Sequence, residues 1–248
     1  MKTDDILTIF AQKESLGKNS KTQFSGCTIS LHQCRCFETL TKEELDLVEE
    51  NSVQIHYKKG EIICKRGSFA SHIMYLESGL AKVYIEDGVN TLVLKILPEK
   101  NLLGLAAVSD DAKTFEYSVM AYIDSEIRQI DIEIFKQLLS QNAVFAKEVI
   151  DIQSANSIQI YGRFFCLTHK QSYGRLADII LCLSERVFKK DEFELPLSRK
   201  DLAELSGLSS ETVIRMLKVF KEEGLLNMEG KTLKILDQPR LKLISETG

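Results

Sequence analysis

The sequence predicts an α+β fold: a strand-rich N-terminal domain and a C-terminal winged helix-turn-helix, joined by a long helix. Three observations predict it. Between Val53 and Ile134, short alternating stretches such as Val53-Gln54-Ile55-His56-Tyr57 and Ala81-Lys82-Val83-Tyr84-Ile85 are punctuated by Gly60, Gly67, Gly79, Gly88 and Gly104. Many short strands with glycine-bearing turns imply a β-barrel, roll or sandwich. Residues 143–167 then run without proline or a turn cluster. After Ser172 the order reads helix, short strand, helix, turn, helix and hairpin.

Composition bounds the answer. With 248 residues, 44% hydrophobic, 27% charged and only 3 Pro, the chain can bury a sizeable core and suits one or two domains. Apolar runs such as 179–183 are far shorter than a membrane span. The opening MKTDDILTIF lacks a secretory pattern. A cytoplasmic location without a membrane partner is expected. The net charge of −4 excludes a globally basic coat but not a local basic face. From Cys166 to Gly248, 14 Lys and Arg stand against 13 Asp and Glu, so the acid excess lies upstream.

Taken in order, residues 1–25 are polar and read as a tail or short helix. A helix is predicted over 42–50, with Thr41 as N-cap and Glu44 closing a capping box. Residues 26–142 form the sensor domain. The absence of strand-helix alternation there argues against a dinucleotide-binding sheet. In the linking helix, 143–167, Phe145, Val149, Ile152, Ala155 and Ile158 make one stripe. Ile150, Ile160, Tyr161, Phe164 and Phe165 widen it beyond one face. Such a helix must bury two sides, one on its own domain and one on a partner, so a homodimer is expected. Residues 168–248 form the last domain.

That domain carries the clearest chemistry. Ser198 caps a first helix with Asp201 three residues on, Gly207 ends it, and Ser209 caps a second. Leu202, Ala203, Leu208, Val213 and Leu217 face one another across the angle, a helix-turn-helix. The outer face of the second helix offers Ser210, Glu211, Ile214, Arg215 and Lys218. Arg can bond guanine O6 and N7, and Glu can accept from cytosine N4. Ser209, Thr212 and Arg199 suit phosphates. By itself this could be an ordinary helical hairpin with an exposed ion pair. The hairpin 225–228 and 232–235 about Glu229-Gly230-Lys231 adds a wing, with Lys231 and Lys234 nearby, and favours double-stranded DNA.

Two blocks resemble the CRP/FNR family of bacterial transcription regulators. One is Leu202-Ala203, Gly207, Ser209, Glu211-Thr212-Val213, Arg215, Leu217 and Glu223-Gly224-Leu225. The other is Lys59-Gly60-Glu61-Ile62-Ile63 through Gly67, with Ile73-Met74-Tyr75-Leu76-Glu77-Ser78-Gly79. The resemblance implies an N-terminal cyclic-nucleotide-binding-type β-roll, a long dimerisation helix and a C-terminal winged helix-turn-helix. It implies a homodimer on a palindromic site, with RNA polymerase as a further partner. Carried over by position, Glu211 and Arg215 would read bases, while Arg199, Ser209 and Thr212 would hold phosphates.

The signal is less legible. Cyclic-AMP-binding relatives carry a Gly-Glu and an Arg-Ser pair, which fall here on Asn101-Leu102 and near Phe115-Glu116. A glutamate beside a cyclic phosphate repels it, so cyclic AMP is not the expected ligand. Residues 101–108 look more like the FNR branch, which holds a [4Fe–4S] cluster on four cysteines. Cys27, Cys34 and Cys36 stand at about that place, but with C-x6-C-x-C spacing, and the fourth position falls on Arg128. An iron–sulfur cluster, zinc with His32, and no metal at all stay open. Cys64, Cys166 and Cys182 read as buried small hydrophobes. His56, His72 and His169 read as ordinary histidines. A redox, oxygen or nitric-oxide response of the roll fits this reading. The rivals are a cyclic-nucleotide-responsive regulator and a non-DNA regulatory subunit acting through protein contacts. No nucleophile–base pair or phosphate loop points to an enzyme.

Overall fold

The computed structural model describes Ile29 and residues 33–248. Cys27, His32 and the tail expected at 1–25 lie outside the described residues. Two compact units emerge, one within Thr28–Ile160 and one over Tyr161–Gly248, and their boundary falls inside the long helix.

The first unit opens with a 3-10 turn, Cys36–Thr39, and helix α1, Lys42–Glu50. The capping box forms: Thr41 N–H donates to Glu44 Oε2 at 2.8 Å, and Glu44 N–H donates to Thr41 Oγ1 at 3.3 Å. Eight strands follow: β1 Ser52–Tyr57, β2 Ile62–Cys64, β3 His72–Ser78, β4 Leu80–Glu86, β5 Thr91–Pro98, β6 Asn101–Leu103, β7 Ser118–Ala121 and β8 Ser125–Asp131. They make two antiparallel four-stranded sheets, ordered β1-β8-β3-β6 and β2-β7-β4-β5.

Alternation along each strand puts one set of side chains between the sheets. Ile63, Met74, Leu76, Val83, Leu97, Val119 and Ile127 form this inner core. Gly79 turns β3 into β4 at φ +111°, and a Cβ there would sit 2.2 Å from Ser125 Oγ. Only glycine allows that crossing.

The outer face of the first sheet carries a second core. Ile73, Leu102 and Ile130 meet Phe135 and Leu138 of α2, Ile132–Gln141, and Phe145, Val149 and Ile152 of α3, Ala143–His169. The stripe is therefore buried as far as Ile152. Beyond it Ile158 is 65% exposed, contrary to the expected continuous inner stripe. Asn142 starts α3, its Oδ1 accepting from Val144 and Phe145 N–H at 3.1 and 3.0 Å.

Lys95, on β5, is buried, and its Nζ donates to Asn156 Oδ1 of α3 at 2.7 Å. Burial lowers its ammonium pKa from 10.5 to about 8. The charged form is thus disfavoured in the folded state, in full below pH 8. Between about 8 and 10.5 the folded chain releases the proton before the unfolded chain does, and stability rises with pH. A shift of that size is worth about 3 kcal/mol. Lys95→Met is expected to raise stability at pH 7 and to remove this contribution above pH 8. Denaturant melts of both chains at pH 7 and 10.5 measure it; equal differences at the two pH values would contradict it.

The second unit contains the end of α3, then α4 Ser172–Cys182 and a π-helical stretch, Leu183–Phe188, ended by Lys189 at φ +52°. Strand β9 is the short strand predicted there, Glu192–Glu194, and it stops ahead of Pro196, which cannot donate to a ladder. Helices α5, Arg199–Ser206, and α6, Ser210–Glu222, lead to β10, Leu226–Glu229, β11, Thr232–Ile235, and α7, Gln238–Thr247. The wing is a three-stranded antiparallel sheet, β10-β11-β9. No helix among the described residues is long and apolar enough to cross a membrane.

Candidate nucleic-acid interface

Two caps and a glycine build the helix pair. Ser198 Oγ accepts from Asp201 N–H at 3.1 Å, and Asp201 Oδ2 accepts from Ser198 N–H at 2.8 Å. Gly207 closes α5 at φ +62°, a left-handed position that a side chain would strain. Ser209 Oγ then accepts from Thr212 N–H at 3.1 Å and caps α6. Leu202, Ala203 and Leu205 bury against Val213, Met216, Leu217 and Phe220, leaving Leu208 half-buried.

Burial on one side fixes what α6 shows on the other. Glu211, Ile214, Arg215 and Lys218 are exposed, and Ser210 is half-buried. Ile214 is 54% exposed, an apolar residue with no core to serve there. Among the described residues no ion pair joins Glu211 to Arg215, whereas Lys218 Nζ lies 3.6 Å from Glu222 Oε1. The two side chains expected to read bases are thus uncommitted. Ser209 and Thr212 bond each other at 2.9 Å between hydroxyls, so they sit together at the positive end of the α6 dipole.

Arg199 lies where α5 begins, but its Nη2 points to Met228 Sδ of the wing at 3.4 Å, and burial lowers its pKa. Lys234 is paired with Glu192 across the β11–β9 ladder at 2.7 Å. Lys231 remains exposed at the turn, beside Gly230 at φ +61°.

One residue that the sequence reading missed joins this group. Arg163, on α3, is 4% exposed, and its Nη2 donates to the Leu205 carbonyl near the end of α5. Arg175 Nη1 donates to the Leu167 carbonyl at 3.1 Å, and a Cβ on Gly207 would lie 3.1 Å from Leu167 Cδ2. The last turns of α3 therefore hold the corner between α5 and α6. The signal was an arginine between the apolar pairs Ile160-Tyr161 and Phe164-Phe165, where a buried cation demands a carbonyl.

The roll interior offers little to a cyclic phosphate at the two family positions. Asn101 spends its amide on the Pro98 and Glu99 carbonyls at 3.0 and 3.2 Å, and Leu102 packs in the outer core. Phe115 is buried in the inner core, and Glu116 is exposed.

The cysteines divide. Cys34 and Cys36 are buried in the outer core with their sulfurs 2.7 Å apart, Cys64 lies in the inner core and Cys166 in the second unit, all four as free thiols, whereas Cys182 is disulfide-bonded and so is not the simple buried hydrophobe its apolar neighbours predict. The hydrogen bond from Cys36 lowers the Cys34 pKa; that bond and burial raise that of Cys36. Burial pushes Cys64 up to about 12. Arg128, at the fourth cluster position, is ion-paired with Glu77 at 2.6 Å. Among the described residues no three potential ligands converge. Cluster thiolates each serve a separate iron, so Cys34 and Cys36, with sulfurs in contact and an arginine in the fourth place, are not set apart here as a pair of [4Fe–4S] ligands would be; Cys27 lies outside the described residues. One tetrahedral zinc, whose 2.3 Å bonds set sulfurs about 3.8 Å apart, would require these two to separate; His32 lies outside the described residues. Of the single histidines, His56 faces Glu126 at 2.7 Å, His72 bonds Ser71, and His169 stacks on Phe165.

Comparison with known proteins agrees with this architecture. Residues 54–142 match the cyclic nucleotide-binding domain, and 174–244 match the Crp-like helix-turn-helix domain. The chain is 27% identical to electron transport regulator A of Shewanella oneidensis over 241 residues, covering 92% of this chain and 95% of that protein. It is 26% identical to the transcriptional activator protein anr of Pseudomonas aeruginosa, covering 82% and 85%. In structure it resembles FixK2 from Bradyrhizobium japonicum, with a TM-score of 0.70, 18% identity, and 78% and 96% of the two chains covered, which establishes the shared fold. Two domain matches in this order, over the sheets and helices described above, place the chain in the CRP/FNR family of transcription regulators.

Proposed function

We propose that the chain is a homodimeric, sequence-specific DNA-binding transcription regulator whose roll sets the placement of two recognition helices. The observation that carries this is the outward face of α6: Glu211, Ile214 and Arg215 exposed and uncommitted on a firmly capped helix. In a major groove Arg215 and Glu211 read bases, and Ile214 meets a thymine methyl. Ser209, Ser210, Thr212, Arg199 and Lys218 contact the phosphate backbone.

Dimer formation is supported by α3. Ile150, Ser154, Ser157, Tyr161 and Phe164 recur at alternating steps of four and three, and all are exposed. That spacing suits a coiled-coil seam with small residues between large ones. Beside it, Leu105, Val108, Leu139 and Val149 line a groove of about 470 Å³ within the first unit. A change in seam packing would pass through Arg163 to the α5–α6 corner. An effector acts only by binding the two packings unequally. The likeness to electron transport regulator A supports a redox signal, and RNA polymerase is the expected further partner.

Selection from random duplexes tests the reading. A palindrome with half-sites about 34 Å apart is expected, one helical turn. Recovery of no palindrome would favour a regulatory subunit that works through protein contacts. Arg199→Ala is expected to weaken all duplexes alike and to flatten the salt slope by about one unit. An unchanged slope would assign Arg199 to the wing contact with Met228 alone.

A further inference from the structure

We propose that Cys34 and Cys36 form a two-electron dithiol/disulfide site, oxidised by small hydroperoxides, set in the core beneath the long helix. The chemistry stands on the sulfur geometry; its regulatory consequence rests on the reading as a DNA-binding regulator.

Among the described residues the geometry favours this chemistry over metal ligation. The sulfurs lie 2.7 Å apart, too close for two ligands of one ion and without a third donor among the described residues. Closing to a disulfide needs a further approach to about 2.05 Å. Only Arg35 separates the two, at φ −112° and ψ 8°. The backbone is anchored on both sides: Cys34 N–H donates to the Lys100 carbonyl at 2.7 Å, and Thr39 Oγ1 donates to the Cys36 carbonyl at 2.6 Å. The pair is thus held ready.

The reaction balances with a hydroperoxide as the oxidant. Cys34, 6% exposed against 0% for Cys36, meets it first. Its sulfur donates an electron pair to the peroxide oxygen, the O–O bond breaks, an alcohol or water leaves, and a sulfenic acid forms. Cys36 sulfur then attacks the Cys34 sulfur and displaces the hydroxyl as water. Two thiols and one hydroperoxide yield one disulfide, one alcohol and one water; sulfur is oxidised and peroxide oxygen reduced. An added dithiol reverses the step by exchange.

The site lies where it can be felt. The residue after Cys36, Phe37, packs edge-on against Tyr75 with ring centres 5.1 Å apart and lies 6.2 Å from Phe145 of α3. Both cysteines share the core with Phe145, Val149 and Ile152. Bridging the sulfurs moves the wall against which the first half of α3 rests.

The full chain is reduced, treated with hydrogen peroxide, alkylated and digested with trypsin. Residues 22–35 and 36–42 should stay joined, cleaved or not at Arg35, with two hydrogens fewer. Because residues 22–35 also hold Cys27, the assay is repeated in Cys27→Ser, where the link should persist. It should vanish in Cys34→Ala and Cys36→Ala, substitutions that buried small residues tolerate; Cys34→Ser, at the less enclosed position, provides a second variant. No link, or a link lost in Cys27→Ser, overturns the proposal. Duplex binding by the reduced chain is scored separately: if it is absent while the link maps as expected, the DNA reading alone fails.

Discussion

Phe164→Glu is expected to give a folded monomer in place of the proposed dimer, and one that does not hold the palindromic duplex proposed for it. Phe164 is 69% exposed in the single chain, and Tyr161 and Ile158 beside it are 64% and 65% exposed. A row of this size has no partner among the described residues and is large for a monomer surface. Burying one such side chain is worth about 1.5–3 kcal/mol, and a two-fold axis counts it twice. Replacing it with a carboxylate forfeits about 3–6 kcal/mol and adds two facing charges, or two to four decades in the dimer constant. Sedimentation at micromolar concentration reads the mass, and thermal melting shows that the fold survives, since residue 164 fills no core. A variant that stays dimeric would leave this face without the role assigned to it.

How much of this was legible in sequence depends on the range of the interaction. Thr41 with Glu44, and Ser198 with Asp201, are three residues apart, and both boxes form as the spacing predicts. Gly207 is a local necessity too, read correctly as the turn. The strand order β1-β8-β3-β6 is not local: Ser52 pairs with Ile130, and no short window contains both. The same limit applies to charge. Lys234 looked like a wing cation, but its partner Glu192 lies on a strand forty-two positions earlier in number. Arg199 looked free at a helix start until the wing brought Met228 to it. For Cys34 and Cys36 spacing records two donors, whereas the contact between their sulfurs depends on the backbone at Arg35. The exposed face of α6 was legible because the helical period alone determines it once Val213, Met216, Leu217 and Phe220 are buried.

That face yields the other large effect. Arg215→Ala is expected to cost about 1–3 kcal/mol per half-site, and so about 2–6 kcal/mol on a palindrome bound by both subunits. The loss should concentrate at one symmetric base-pair position. The reason is geometric: an uncommitted guanidinium can meet guanine O6 and N7 with two parallel donors, and alanine can meet neither. Arg215→Lys separates charge from shape. It keeps the cation, and so most of the affinity for random duplex, but it lacks the planar fork and should lose most of the preference at that base pair. Glu211 provides the internal comparison, since its substitution should relax a different position. Titrations of each variant on the selected duplex, on single-base variants of it and on random duplex, all at one salt concentration, resolve these terms. If Arg215→Ala weakens cognate and random duplex in parallel, Arg215 is a phosphate contact. Recognition would then have to come from Glu211, Ile214 or the shape of the duplex.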